Sequence, residues 1–131
     1  MASKKERGIV MKASFIQIVN FFSSLPFHFM HCLIITTCKD EDEEKIIDAL
    51  ISSKLVACIN SFKVSSTYIW KGKIERDEEK LLIIKTRKEK YKEVEMKIRE
   101  LHSYELPEII CIEIKEGYKE YMKWLDKAIG G

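Results

Sequence analysis

Residues 80–114, KLLIIKTRKEKYKEVEMKIRELHSYELPEIICIEI, decide the fold. Lys80-Leu-Leu-Ile-Ile-Lys-Thr86 is a short aliphatic run and reads as a strand. Thr86 and Glu89 have the T-x-x-E spacing of a capping box, which opens a helix. Tyr91, Val94, Ile98 and Leu101 then step by three, four and three, as one apolar helical face requires. Pro107 stops any continuation, and Ile109-Ile-Cys-Ile-Glu-Ile114 is a further strand. Strand, helix and strand in that order make a βαβ unit.

Upstream the same order recurs. Cys32-Leu-Ile-Ile-Thr-Thr37 reads as a buried strand. DEDEE at 40–44 places five acids where a helix N-terminus favours negative charge, and Ile46, Ile47, Leu50 and Ile51 follow at helical spacing, which predicts a helix over 42–54. A calcium loop would need a turn Gly and spaced ligands, which DEDEE lacks. Leu55-Val-Ala-Cys-Ile59 is predicted as a second strand, broken at Asn60–Lys63 and resumed at Val64–Trp70. Lys71-Gly72-Lys73 supplies a hairpin turn. Beyond Gly117, Tyr118, Tyr121, Met122, Leu125 and Ile129 mark a closing helix. The order β-α-β-β-α-β with a C-terminal helix is an α+β, ferredoxin-like arrangement: an antiparallel sheet with both main helices on one face.

That architecture leaves a face to account for. A sheet with one wet face alternates apolar and polar residues, yet LLII at 81–84 and LII at 33–35 do not alternate. Two helices cover one side only, so the other is expected to meet further copies of this chain. The N-terminal arm or the last helix is the alternative cover.

Composition limits what such a domain does. The 131 residues fit one domain, and a hydrophobic fraction of 46% supports a core. Lys and Arg number 23 against 21 Asp and Glu, so a net charge of +2 gives no basis for nucleic-acid binding. Residues 1–30 differ from the rest: they hold Lys4, Lys5, Arg7 and Lys12 against Glu6, then the apolar stretch ASFIQIVNFFSSLPFHFM. Polar interruptions make it too broken for a membrane span. It reads as an N-terminal arm or a leader-like extension before a domain at 31–131, with a cytoplasmic or organellar destination. Cys32, Cys38, Cys58 and Cys111 are widely spaced without a CxxC pair and read as reduced thiols.

No phosphate-cradling Gly loop, HExxH or nucleophile elbow is present, and we read no enzyme here. The loop Cys38-Lys39-Asp40-Glu41 is too acidic for an acylphosphatase phosphate site, and LLIIK lacks the aromatics of an RNA-binding sheet. His102, Tyr104, Glu108, Lys85, Trp70, Cys38 and Cys58 remain as candidates. Imidazole, thiolate and carboxylate together suit a borderline or soft ion such as copper or zinc. A structural alternative has His102 neutralising the C-terminal dipole of its helix and Tyr104 packed under the loop. His28 and His31, beside Cys32, form a second conceivable chelate.

The stretches TTCKDEDEEKI, KLVACIN, SSTYIWKGKIE, LLIIKT, HSYELPEI and YMKWL occur in an order and spacing that resemble the CutA divalent-cation tolerance family over residues 32–128. The resemblance implies a homotrimer with sheets packed around a threefold axis, similar to PII signalling trimers, and a role in tolerance to divalent cations, copper first. It implies metal ligands at His102 and, with a displaced loop, Cys38. Bacterial members of the family use a first-strand Cys and a His pair. Here Thr36 stands at the Cys position and Leu101 replaces one His. The resemblance also implies a cleft between subunits at Cys58, Trp70, Lys85, Tyr104 and Glu108. A PII-like signalling or scaffold module with incidental metal binding is the other reading.

Overall fold

The computed structural model describes residues 29–130. The arm over residues 1–28, including His28, lies outside the described residues. The elements are β1 (His31–Cys38), α1 (Asp40–Ser52), β2 (Cys58–Trp70), β3 (Lys73–Arg87), a 3-10 turn (Lys88–Lys90), α2 (Tyr91–Leu101), β4 (Ile109–Ile114) and α3 (Lys119–Ile129). The strands form one sheet in the order β2-β3-β1-β4, with every neighbouring pair antiparallel. This is the ferredoxin-like order that two βαβ crossovers produce.

Side-chain alternation assigns the two faces. On β1, Cys32, Ile34, Thr36 and Cys38 are fully buried, and Ile34 lies opposite Ile84 of β3 on one side and Cys111 of β4 on the other. With Leu82 and Ile84, Cys32, Ile34 and Cys38 pack against Ile46 and Leu50 of α1 and Val94 and Ile98 of α2. A period of two on the strands and of three to four on the helices thus brings the apolar sets together.

Four details differ from the sequence reading. The first helix begins at Asp40, because Asp40, Glu41, Asp42 and Glu43 fill its first turn and complement the dipole. β2 begins at Cys58 and runs unbroken to Trp70, and β3 begins at Lys73 rather than Lys80. Backbone pairing with β3 carries β2 through Asn60–Lys63, where Phe62 is a single apolar side chain among polar ones. The capping box does not form: Thr86 Oγ1 donates to the Leu55 carbonyl at 2.7 Å, and no side chain caps the following turn.

Trp70 pairs with Lys73, which leaves Lys71 and Gly72 as a two-residue loop with φ of 51° and 78°. Positive φ at both positions is the type I′ geometry that matches the strand twist. The outer hairpin stands clear of the helices, and the paired Ile69 and Ile74 at its tip are 76% and 68% exposed.

The second face of the sheet is partly covered within the chain. On α3, Leu125 is fully buried, and the buried Asp126 accepts from His31 Nε2 at 2.8 Å with Arg87 Nη1 at 3.9 Å. This helix shields the His31 and Arg87 end of the sheet. Phe62, Ile110 and Ile112, on the same face, remain 50%, 48% and 47% exposed.

Candidate functional site

The loop after α2 is held at three points. His102 closes the helix, its N–H donating to the Ile98 carbonyl. Its ring then lies between backbone groups: the Tyr104 N–H donates to Nδ1 at 3.1 Å, and Nε2 lies 2.6 Å from the Thr37 carbonyl oxygen. An N–H can only donate and a carbonyl can only accept, so the ring is the neutral tautomer protonated at Nε2. Ser103 donates its N–H and hydroxyl to Asp42 at 2.9 and 2.8 Å. Asp42 is 1% exposed. Burial opposes its ionisation, but Ser103 and Lys45 outweigh that and hold the carboxyl below its ordinary value. Tyr104 donates its hydroxyl to the buried Glu79 at 2.6 Å, and burial, then that carboxylate, push the phenol up.

Cys38 is fully buried on the helix-facing side of β1. Burial first, then the carboxylates of Glu43, Asp42, Glu79 and Asp40, push its thiol up to about 11. At neutral pH it is a protonated thiol.

A second cluster lies on the other face. Register sets Cys58 opposite Lys85. Lys85 Nζ donates to Asn60 Oδ1 and lies 3.8 Å from Cys58 Sγ. Tyr121 of α3 reaches the same thiol, and burial, then that thiol, push its phenol up. Asn60 and Tyr121 escaped the sequence reading. Asn60 shares a face with Cys58 by simple alternation, but only register shows that Lys85 faces both.

The five residues expected to share a cleft are not gathered within one chain. Cys58 and Lys85 are together. Tyr104 is tied to Glu79, six residues along β3 from Lys85, or about 20 Å at strand rise. Trp70 ends β2 twelve residues from Cys58, about 40 Å away by the same rise, with Lys71 Nζ 5.6 Å over its ring. Glu108 is exposed just before β4.

Residues 32–128 match the family described as CutA1 divalent ion tolerance protein. A relative from Archaeoglobus fulgidus, "Divalent-cation tolerance protein CutA", is 41% identical over 101 residues, covering 76% of this chain and 99% of its own. The chain belongs to the CutA divalent-cation tolerance family. A solved structure described as the periplasmic divalent cation tolerance protein CutA from the same organism superposes with a TM-score of 0.74 at 40% identity, over 76% of this chain and 99% of that one. A relative from Oryza sativa, "Protein CutA 1, chloroplastic", is 37% identical over 95 residues, which are 72% of this chain and 54% of that protein.

The CutA resemblance implied metal ligands at His102 and Cys38, and their geometry does not fit that role. Neither ring nitrogen of His102 has a free lone pair directed outward, and Cys38 is a buried thiol among carboxylates. Among the described residues, no group of three or more His, Cys, Asp or Glu side chains is placed to hold a metal ion. His102 positions the loop instead. Its neutral ring does so by hydrogen bonding, which replaces the expected charge effect on the helix dipole.

Proposed function

We propose that this CutA-family chain acts in divalent-cation tolerance as a non-catalytic homotrimer. In this reading it meets its metal, copper first, as a small anionic complex in a cleft shared by subunits. The supporting observation is the sheet face that α3 leaves open: Phe62, Ile110 and Ile112 are about half exposed beside half-buried Leu33, Ile35 and Ile83. A contiguous apolar face of this kind is stabilised by burial against another copy. Assembly would also bring the dispersed Trp70, Tyr104 and Glu108 to a neighbour's Cys58 and Lys85. The ammonium of Lys85, beside Cys58 and Asn60, favours an anionic complex over a bare cation at that end of the cleft.

Calorimetric titration with copper(II) citrate and with copper(II) alone tests the reading on wild type, Lys85→Ala and His102→Ala, with the mass of each followed by light scattering. The expected result is a trimer that binds the citrate complex, loses it in Lys85→Ala and keeps it in His102→Ala. Citrate-complex binding unchanged in Lys85→Ala, or a single-chain mass throughout, would overturn it. The engaged nitrogens of His102 also favour a second reading, a PII-like signalling or scaffold module with incidental metal binding. That reading predicts no saturable copper binding in either form. For location we propose the cytoplasm or, with residues 1–30 as a leader, an organelle. A fluorescent fusion to residues 1–30 that stays diffuse would remove the organellar option.

A further inference from the structure

Of the four free cysteines, Cys58 alone stands on the open face of the sheet. Ile84 of β3 points into the core, so the next residue, Lys85, points to the other face, and Cys58, directly opposite it on β2, shares that face. Cys32 and Cys38 are fully buried on the helix side, where burial pushes their thiols up to about 12 and about 11. Cys111 packs against the same core. Cys58 is only half-buried, and β2 is an edge of the sheet, so its sulfur is reached from the side.

The neighbours of this thiol select what it reacts with. Lys85 Nζ donates to Cys58 Sγ at 3.8 Å and to Asn60 Oδ1, so the ammonium is held beside the sulfur. Among the described residues these contacts use two of its three donors, and the third is left for an incoming acceptor. The row across the sheet continues from Lys85 to Leu33 and Ile112, so the surface is polar at the β2 edge and apolar beyond it. An accessible sulfur, a fixed cation beside it and an apolar strip next to both suit a small disulfide that carries a carboxylate. We propose that Cys58 is a modification site that takes up low-molecular-weight anionic disulfides as mixed disulfides, with Lys85 seating the carboxylate.

The reaction is thiol–disulfide exchange. The thiolate of Cys58 attacks one sulfur of the small disulfide; a new S–S bond to Cys58 forms as the original S–S bond breaks. The departing thiolate takes up the proton that Cys58 released, so the Cys58 sulfur is oxidised and the small molecule is reduced to one thiol. Lys85 stands beside both negative charges involved, the attacking sulfur and the carboxylate of the incoming group. The inference shares with the proposed cleft the reading of Lys85 as an anion contact and rests on that part of it. Its consequence is regulatory: the adduct lays its own carboxylate on Lys85, so thiolation fills the anion site until a reducing thiol removes it.

Intact-mass spectrometry of the native full chain tests the assignment, with dithiodipropionate as the anionic probe and cystamine as its cationic counterpart. Wild type is expected to take one adduct per chain, mapped to Cys58 by peptide analysis, and Cys58→Ser none. The two probes differ in intrinsic reactivity, so the readout is the ratio of their rates. That ratio, anionic over cationic, is expected to fall at least about tenfold in Lys85→Met, where carboxylate attraction and ammonium repulsion both vanish. Lys85→Gln serves if the methionine variant fails to fold, and Lys85→Arg should retain the ratio. An adduct at Cys111, no adduct at all, or a ratio unchanged by loss of the Lys85 charge would overturn the proposal. A ratio that falls while copper citrate binding is unchanged in Lys85→Ala overturns the cleft reading alone, so the two fail separately.

Discussion

Replacing Ile110 and Ile112 together by lysine separates assembly from folding. Both side chains point away from the core, on the open face, and are 48% and 47% exposed in the single chain. Full burial of an isoleucine is worth about 1.5–3 kcal/mol, so covering the exposed half gives about 1 kcal/mol per residue. Two positions in each of three subunits then contribute about 6 kcal/mol to a trimer, roughly four decades in its assembly constant. Six ammonium groups at the contact add several kcal/mol each in desolvation. The subunit itself should be unaffected, since charged residues on an edge strand are well tolerated. Light scattering and sedimentation at micromolar concentration are expected to give a trimer for wild type and a single chain with unchanged circular dichroism for the double variant. Met96→Lys, at a 61% exposed position on α2, is the control and should stay trimeric. A double variant that remains trimeric, or a wild type that is single, would refute the reasoning.

Three further outcomes follow from the packing. Asp42→Asn should destabilise the fold by about 2 kcal/mol in urea unfolding, because a charged acceptor of two Ser103 hydrogen bonds is lost. Its folded-state value lies below the ordinary 3.8, so this contribution is present above pH 3.8 and is lost as pH falls through the lower folded value; the variant's acid unfolding should lack that component. Gly72→Ala meets no neighbouring atom but must hold a φ of 78°, and should cost about 1 kcal/mol through left-handed strain, read as a lower melting temperature. Leu125→Ala empties a fully buried site and should cost about 2–5 kcal/mol, with α3 exchanging its amide hydrogens faster than α1.

Much of this fold is legible in the chain because its elements carry strong local patterns. The three-four-three spacing of Tyr91, Val94, Ile98 and Leu101 yields α2, and adjacent aliphatics in LLII and LII mark strands that are apolar on both faces. The β3 extension over Lys73–Glu79 is not legible because nearly all its side chains meet water, and an exposed ladder leaves no hydrophobic period. Thr86 and Glu89 matched a capping box, yet the Leu55 carbonyl took the hydroxyl, since a tertiary acceptor was available to it. His102 and Tyr104 stood out as residue types, while their partners Thr37 and Glu79 lie far away in sequence.

What the residue order alone determined is the element succession, the family and the surplus of apolar strand surface, all of which rest on short-range periodicity and composition. Register and packing decided the rest: that both nitrogens of His102 are engaged, and that Lys85 faces Cys58 and Asn60. Those pairings depend on which residues oppose each other across strands, and a slip of one position would turn every side chain to the opposite face.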